Sequence, residues 1–270
     1  MRTAVCVAVA VAALGTALPA EAVPGATTVV SYDAGAAAGG GYNNPESVLG
    51  SPERFTGEAE FGGVYAGAVT PFNAAWGFDE VVSVGAGGHL VVRFDQPIRN
   101  DPANPFGVDL IIYTNSFFFD VAYPGGTVGG VFEKGPFAVS VSADGAEFVS
   151  LGEFTDGRFP TLGYRDLSGP YATTPGSVPT DFTQPVNPAL TADDFLGLTL
   201  GGIDALYDGA AGGLPIDIAG SGLAEAWYVR IDVPAGVVEA PTFDALVVVP
   251  EPATALLLVL AGAAALRRRG

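Results

Sequence analysis

Hydrophobic residues along most of this chain recur in short runs with a period of two, the repeat of a β-strand that is half buried. Residues 89–94 show it best. Leu90, Val92 and Phe94 fall on one face, and His89, Val91 and Arg93 on the other. Residues 227–233 alternate in the same way. Residues 29–32 and 243–249 are further strand candidates. Residues 109–113 form a nearly continuous apolar run, which predicts a strand covered on both faces. Residues 137–142 and 147–151 flank Ala143-Asp144-Gly145-Ala146, a hairpin with Asp and Gly in the turn. Gly, Pro, Asn and Asp punctuate the intervals, and long helical patterns are scarce.

One stretch departs from this rhythm. Thr191 precedes Ala192, Asp193 and Asp194, an N-cap followed by acidic residues in a first helical turn. Phe195, Leu198, Ile203, Leu206 and Tyr207 could continue it, but Gly197, Gly201 and Gly202 interrupt. Two short helices or turns are therefore expected. Residues 169–188, rich in Pro, Thr and Ser, read as an exposed loop within one domain, because β-type sequence flanks them.

The two ends have a different pattern. Arg2 precedes an apolar run at residues 4–17, and Ala20-Glu21-Ala22 forms a small-x-small cleavage site. This is the layout of a secretory signal peptide, placing the mature start near Val23 and implying the Sec translocon and signal peptidase as partners. Pro19 and Pro24 argue against a buried N-terminal helix. Cys6 lies inside the apolar run, so it would leave with the signal, and no lipoprotein anchor is expected. At the other end, Val249-Pro250-Glu251-Pro252 leads into apolar residues 253–266, then Arg267, Arg268 and Arg269. The arginines mark a cytoplasmic side. Fourteen helical residues reach roughly 21 Å, against about 30 Å of hydrocarbon, a length that suits a transient handle better than a lasting anchor.

The order of Pro-Glu-Pro break, apolar segment and arginine tail resembles the PEP-CTERM sorting signal of Gram-negative bacteria. That resemblance covers residues 249–270. It implies an exosortase as processing partner, transit through the inner membrane with a transient tether, and a final place at the cell surface or outside the cell. It also motivates an association with exopolysaccharide.

Composition narrows the body, residues 23–248. The whole chain carries a net charge of −18, and removing Arg2, Glu21 and the three terminal arginines while keeping Glu251 takes it to −21. Such a surface repels nucleic acid. Without Cys6 no cysteine remains, which excludes disulfides, thiolate metal sites and a cysteine nucleophile. The 38 glycines and 21 prolines of the whole chain, most of them in this body, fit short strands joined by long loops. Several phrases, among them Asn43-Asn44-Pro45-Glu46, Asp101-Pro102-Ala103-Asn104-Pro105-Phe106-Gly107-Val108-Asp109 and Tyr228-Val229-Arg230-Ile231-Asp232, resemble a group of secreted bacterial proteins that carry this sorting tail. The hairpin around Ser142-Ala143-Asp144-Gly145, the strand at 228–232 and the terminal Phe243-Asp244-Ala245-Leu246-Val247-Val248 are similar to the galactose-binding-like, discoidin-type jelly roll. That likeness implies a sugar- or headgroup-binding fold with a structural calcium. The expected fold is all-β: one jelly-roll-like β-sandwich with long loops and one or two short helices, flanked by the signal helix and a C-terminal hydrophobic helix.

Little in the body points to catalysis. His89 is the sole histidine, sits after the Gly85-Ala86-Gly87-Gly88 turn, and reads as structural. No Gly-x-Ser-x-Gly elbow occurs. No catalytic residue is assigned, and the protein reads as non-enzymatic. Calcium is the metal the residues could serve, since it takes six to eight oxygens. Its candidate ligands are Asp33, Asn44, Glu46, Asp79, Asp217 and Asp244. Trp76 is the candidate sugar-stacking residue, and Phe117, Phe118 and Phe119 are expected in the core. The alternative to a matrix protein is a secreted glycoside hydrolase or other polysaccharide-active enzyme, which needs two carboxyls about 5–10 Å apart in a cleft.

Overall fold

A computed structural model of the protein describes residues 23–56, 67–155 and 157–251. The expected signal peptide, Pro252, the apolar segment at 253–266 and Arg267, Arg268 and Arg269 lie outside the described residues. No helix among the described residues is long and apolar enough to cross a membrane.

The strands are β1 (Thr28–Asp33), β2 (Phe55–Thr56), β3 (Gly67–Ala68), β4 (Val82–Ser83), β5 (His89–Arg99), β6 (Leu110–Thr114), β7 (Phe117–Asp120), β8 (Val128–Phe132), β9 (Phe137–Ser142) and β10 (Val149–Phe154). After helix α1 (Leu200–Tyr207) come β11 (Leu214–Ile216), β12 (Glu225–Asp232) and β13 (Thr242–Val248). One sheet runs β1-β5-β12-β9-β10 and a second runs β11-β6-β13-β4. Two small hairpins, β2–β3 and β7–β8, stand apart from them. Every one of these strand pairs is antiparallel.

Period-two patterning explains why the two larger sheets stack. Leu90, Val92 and Phe94 of β5, Val139 and Val141 of β9 and Val229 and Ile231 of β12 share one core with Leu110 and Ile112 of β6 and Leu246 and Val248 of β13. The architecture is thus an all-β sandwich. The β9–β10 hairpin forms where Ser142-Ala143-Asp144-Gly145 was expected to turn. Asp144 Oδ1 accepts the Ala146 and Glu147 N–H groups at 2.8 and 3.1 Å, and Gly145 takes φ 77°.

The smaller sheet is buried on both faces, as the unbroken run at 109–113 predicted. Its outer positions, Ile111, Tyr113, Ala245 and Val247, pack against Phe182 and Ala211. This corrects the expectation of an exposed loop at 169–188. Phe182 is 1 % exposed, the Arg54 guanidinium lies 3.8 Å over its ring, and its carbonyl accepts the Tyr113 hydroxyl at 2.8 Å. Val186 is buried in a further cluster with Phe118, Val128, Phe159, Phe195, Ile203 and Tyr207. The polar composition belongs to the segment's outer side, while single apolar residues nail it to the sheet.

The helical segment forms as two short pieces. The first is a tight turn, Ala192–Phe195, at whose start the Asp194 carboxylate accepts the Thr191 N–H at 2.7 Å and hydroxyl at 2.9 Å. The second, α1, holds Gly201 and Gly202 inside it, contrary to the expected break. Each glycine costs about 1 kcal/mol there. Burial of Ile203 and Tyr207, worth roughly 1.5–3 kcal/mol per large side chain, outweighs that cost.

Candidate functional site

The hairpin β7–β8 follows directly from buried strand β6. Pairing sets Phe117 opposite Phe132 and Phe118 opposite Val131. Alternation then sends the three consecutive phenylalanines to two sides. Phe118 turns inward, 5.3 Å from the Phe195 ring and 6.4 Å from Phe72. Phe117 and Phe119 turn outward. The expectation that all three are core therefore holds for Phe118 alone: Phe117 is half-buried and Phe119 is 47 % exposed.

The outward rings form a continuous face. Phe117 and Phe132 stack at 4.9 Å with 19° between their planes. Phe119 meets Phe117 edge-on at 5.8 Å and Phe132 at 6.0 Å. Half-buried Trp76 closes the row, its ring 5.7 Å from Phe117. Val121, also exposed, extends it along the hairpin.

Trp76 is held there by its backbone. Glu80 Oε2 accepts the N–H groups of Trp76 at 3.1 Å and Gly77 at 2.7 Å, and the Thr56 hydroxyl at 2.7 Å. The Trp76 carbonyl accepts the Tyr42 hydroxyl at 2.8 Å. Gly77 is required for this approach, because a Cβ there would lie 2.7 Å from Glu80 Cδ. The far end of the hairpin is organised by Asp120, whose carboxylate accepts N–H groups from Ala122, Gly126 and Thr127 and the Tyr171 hydroxyl. Desolvation works against that carboxylate, but the Thr127, Ala122 and Gly126 N–H groups and the Tyr171 hydroxyl hold its pKa below the usual value. Burial, then the Asp120 charge, pushes Tyr171 up to about 12, so it stays a neutral donor.

Behind the Trp76 loop lie three carboxyls that the linear sequence did not connect. A bulge in β13 between Phe243 and Ala245 turns Asp244 toward Glu53, whose N–H reaches both Asp244 oxygens at 3.2 Å. Burial, and then the nearby Glu53 and Glu80, holds Asp244 well above the ordinary carboxyl value. Glu53 is raised by burial and by Glu80 and Asp79. Neither Glu80 nor Asp244 is open to solvent.

The calcium candidates are spread over several loops. Asp33 accepts the Gly35 N–H at 3.0 Å at the end of β1. Asn44 accepts the Glu46 N–H at 3.2 Å and caps the turn Pro45–Val48, which contains Glu46. Asp217 accepts the Ala219 N–H at 2.7 Å and caps the turn Ile218–Ser221. The charge of Asp79 helps to raise the pKa of Glu53, and that of Glu53 helps to raise Asp244. Among the described residues no group of three or more His, Cys, Asp or Glu side chains could hold a metal ion. His89 opens β5, its Nε2 3.1 Å from Ser31 Oγ.

A separate groove of about 460 Å³ lies between the hairpin tip at Pro124 and Gly125, the loop holding Tyr164 and Arg165, and the start of α1. Arg165 donates to both Asp204 oxygens at 2.8 and 3.2 Å. That side chain and Asp204 therefore neutralise each other in the groove wall.

Phe132, Glu80 and Asp120 were not anticipated, and Phe119 was expected in the core. The available signal was period two across residues 117–120, which would have split the phenylalanines between two faces. Comparison with known protein families, with curated proteins and with solved structures finds no match to this chain.

Proposed function

We propose that the protein is an exported, non-enzymatic component of the cell surface or extracellular matrix, and that it holds uncharged stretches of exopolysaccharide on the aromatic face of β7–β8. One observation carries the reading: four rings, Trp76, Phe117, Phe119 and Phe132, are gathered on the outward side of one hairpin, with Phe119 presented to solvent. Aromatic planes accept the apolar faces of sugar rings, and contiguous exposed apolar patches of this kind mark binding surfaces. The strong negative charge favours neutral glycans over acidic ones. Export and exosortase processing rest on the two terminal sequence patterns. A jelly-roll connectivity and a structural calcium belong to the same proposal and derive from the discoidin-type likeness.

The test is a glycan array with residues 23–249, run as wild type and as Trp76→Ala and Phe119→Ala, with calcium and with chelator. Retention of neutral polysaccharide by the wild type and loss of at least tenfold in both variants would support the reading. Wild-type protein that retains no glycan in either condition would sink it. Concentration-dependent dimerisation abolished by Phe119→Ala would instead assign the face to self-association.

A further inference from the structure

Both ends of the described chain leave the sandwich at one place. The Val248 N–H donates to the Pro24 carbonyl at 2.9 Å, and Gly25 bridges Val247. The Val249 N–H still donates within the sheet, to the Asp109 carbonyl at 2.9 Å. Val23 packs on the same cluster that buries Val249. The apolar sequence at 253–266 therefore begins after only Pro250, Glu251 and Pro252. Three residues span at most roughly 10 Å. The N-terminal apolar run similarly ends close to Val23.

Beside this exit stands Phe106. It lines one concavity together with Val249 and Pro250, and it is 57 % exposed. Its φ is 58°, in the left-handed region that bulky residues rarely enter. Hydrogen bonds on either side enforce the turn, from the Gly107 N–H to the Asn104 carbonyl at 2.9 Å and from the Val108 N–H to the Pro105 carbonyl at 3.2 Å. A strained backbone here displays an aromatic side chain to solvent at the point where the chain departs. Arg99, which shares a groove with Val249 and Pro250, is engaged by Glu251 at 3.4 Å and Glu225 at 3.9 Å, so it adds no unpaired positive charge to this pole.

We infer that this pole, built from Pro24, Phe106 and Pro250, faces a lipid bilayer while the chain is tethered, with Phe106 inserted among the headgroups. The inference rests on reading residues 253–266 as a membrane-entering segment. Contact is by apolar insertion under a short tether, so it is insensitive to salt. It also orients the molecule. β6 runs from Leu110, paired with Val248 at this pole, to Thr114, paired with Phe243 roughly 15 Å away. Phe117 begins the aromatic hairpin just beyond, so the stacking face starts at the end remote from the membrane.

The experiment uses the full-length chain with Cys6→Ser and a single new cysteine carrying an environment-sensitive fluorophore. One probe site is Ala103, which leaves Phe106 in place. The other is Val238, 86 % exposed in the connection between β12 and β13 at the remote end. The protein is incorporated into vesicles of phosphatidylethanolamine with a minor phosphatidylglycerol fraction, floated, and quenched with a spin-labelled lipid. Strong quenching at 103, little at 238, and about a twofold loss at 103 on Phe106→Ser are expected. Equal quenching at both sites in floated protein would overturn the inference alone. So would indifference to Phe106→Ser, for the anchoring role. Protein that fails to float would overturn the reading of 253–266, and the inference with it.

Discussion

Glu80 is the residue on which the position of Trp76 depends, and its replacement gives a quantitative test. Glu80→Ala removes the acceptor of three hydrogen bonds, from the Thr56 hydroxyl and the Trp76 and Gly77 N–H groups. A hydrogen bond to a charged group contributes about 1.5–3 kcal/mol. Three bonds sharing one oxygen are not additive, so their joint loss is about 4 kcal/mol rather than the full multiple. Relief of repulsion offsets part of this, because Glu80 is one of the charges that raise Glu53 and Asp244. A net loss of about 2–4 kcal/mol follows, roughly 5–12 °C in Tm for a domain of this size. Glu80→Gln keeps one oxygen in place. Neutral bonds are about half as strong as charge-assisted ones, so its loss is about 1–2 kcal/mol. The assay is urea unfolding in a Trp227→Phe background, which leaves Trp76 as the only indole, with acrylamide quenching of the native state. Both variants should expose Trp76 further, Glu80→Ala more than Glu80→Gln. Stability of Glu80→Ala within about 0.5 kcal/mol of wild type, with unchanged quenching, would refute the argument.

Asp244→Asn should remove a pH dependence. The unfolded chain releases this proton near the usual 3.8, whereas the folded state keeps it to a much higher pH. The folded state thus binds more protons above that value, and stability falls as pH rises from about 4 toward the folded pKa. Urea midpoints measured across that range should decline less in Asp244→Asn than in wild type, and coincide at the acid end; Glu53, also raised, leaves a residual slope. Phe182→Ala should cost about 3–5 kcal/mol in a denaturation midpoint, because it vacates the site between Tyr113 and the Arg54 guanidinium. Arg99→Ala should change stability by less than about 1 kcal/mol, since its partners at 3.4 and 3.9 Å are half-exposed ion pairs. A larger loss would mean that Arg99 anchors the departing chain.

Much of the fold could be read along the chain because burial in a sandwich imposes local periodicity. The alternation at 89–94, the continuous run at 109–113 and the turn at Ser142-Ala143-Asp144-Gly145 each report an environment met by neighbouring residues, and each became the expected element. Phe182 defeated the same logic. A lone aromatic among Pro, Thr and Ser has no period, and its burial depends on Tyr113, 69 positions away. Gly201 and Gly202 misled for a related reason: helix propensity is weak beside the packing of Ile203 and Tyr207.

The candidate site divides along the same line. Sequence by itself determined the strand content, the acidity, the cysteine-free body and the patterned ends, since composition and short-range order are properties of the chain. Trp76 could be singled out, but its neighbours could not. Phe117 and Phe132 become partners through hairpin register. Glu53, Glu80 and Asp244 become neighbours through a one-residue bulge in β13. The adjacency of Pro24 and Val248 brings the two ends of the described residues to one pole of the sandwich. Such contacts lie between residues far apart in order, and loop closure carries no local signature. Which rings share one face and where Val23 and Val249 lie in the sandwich were therefore decided by tertiary structure alone.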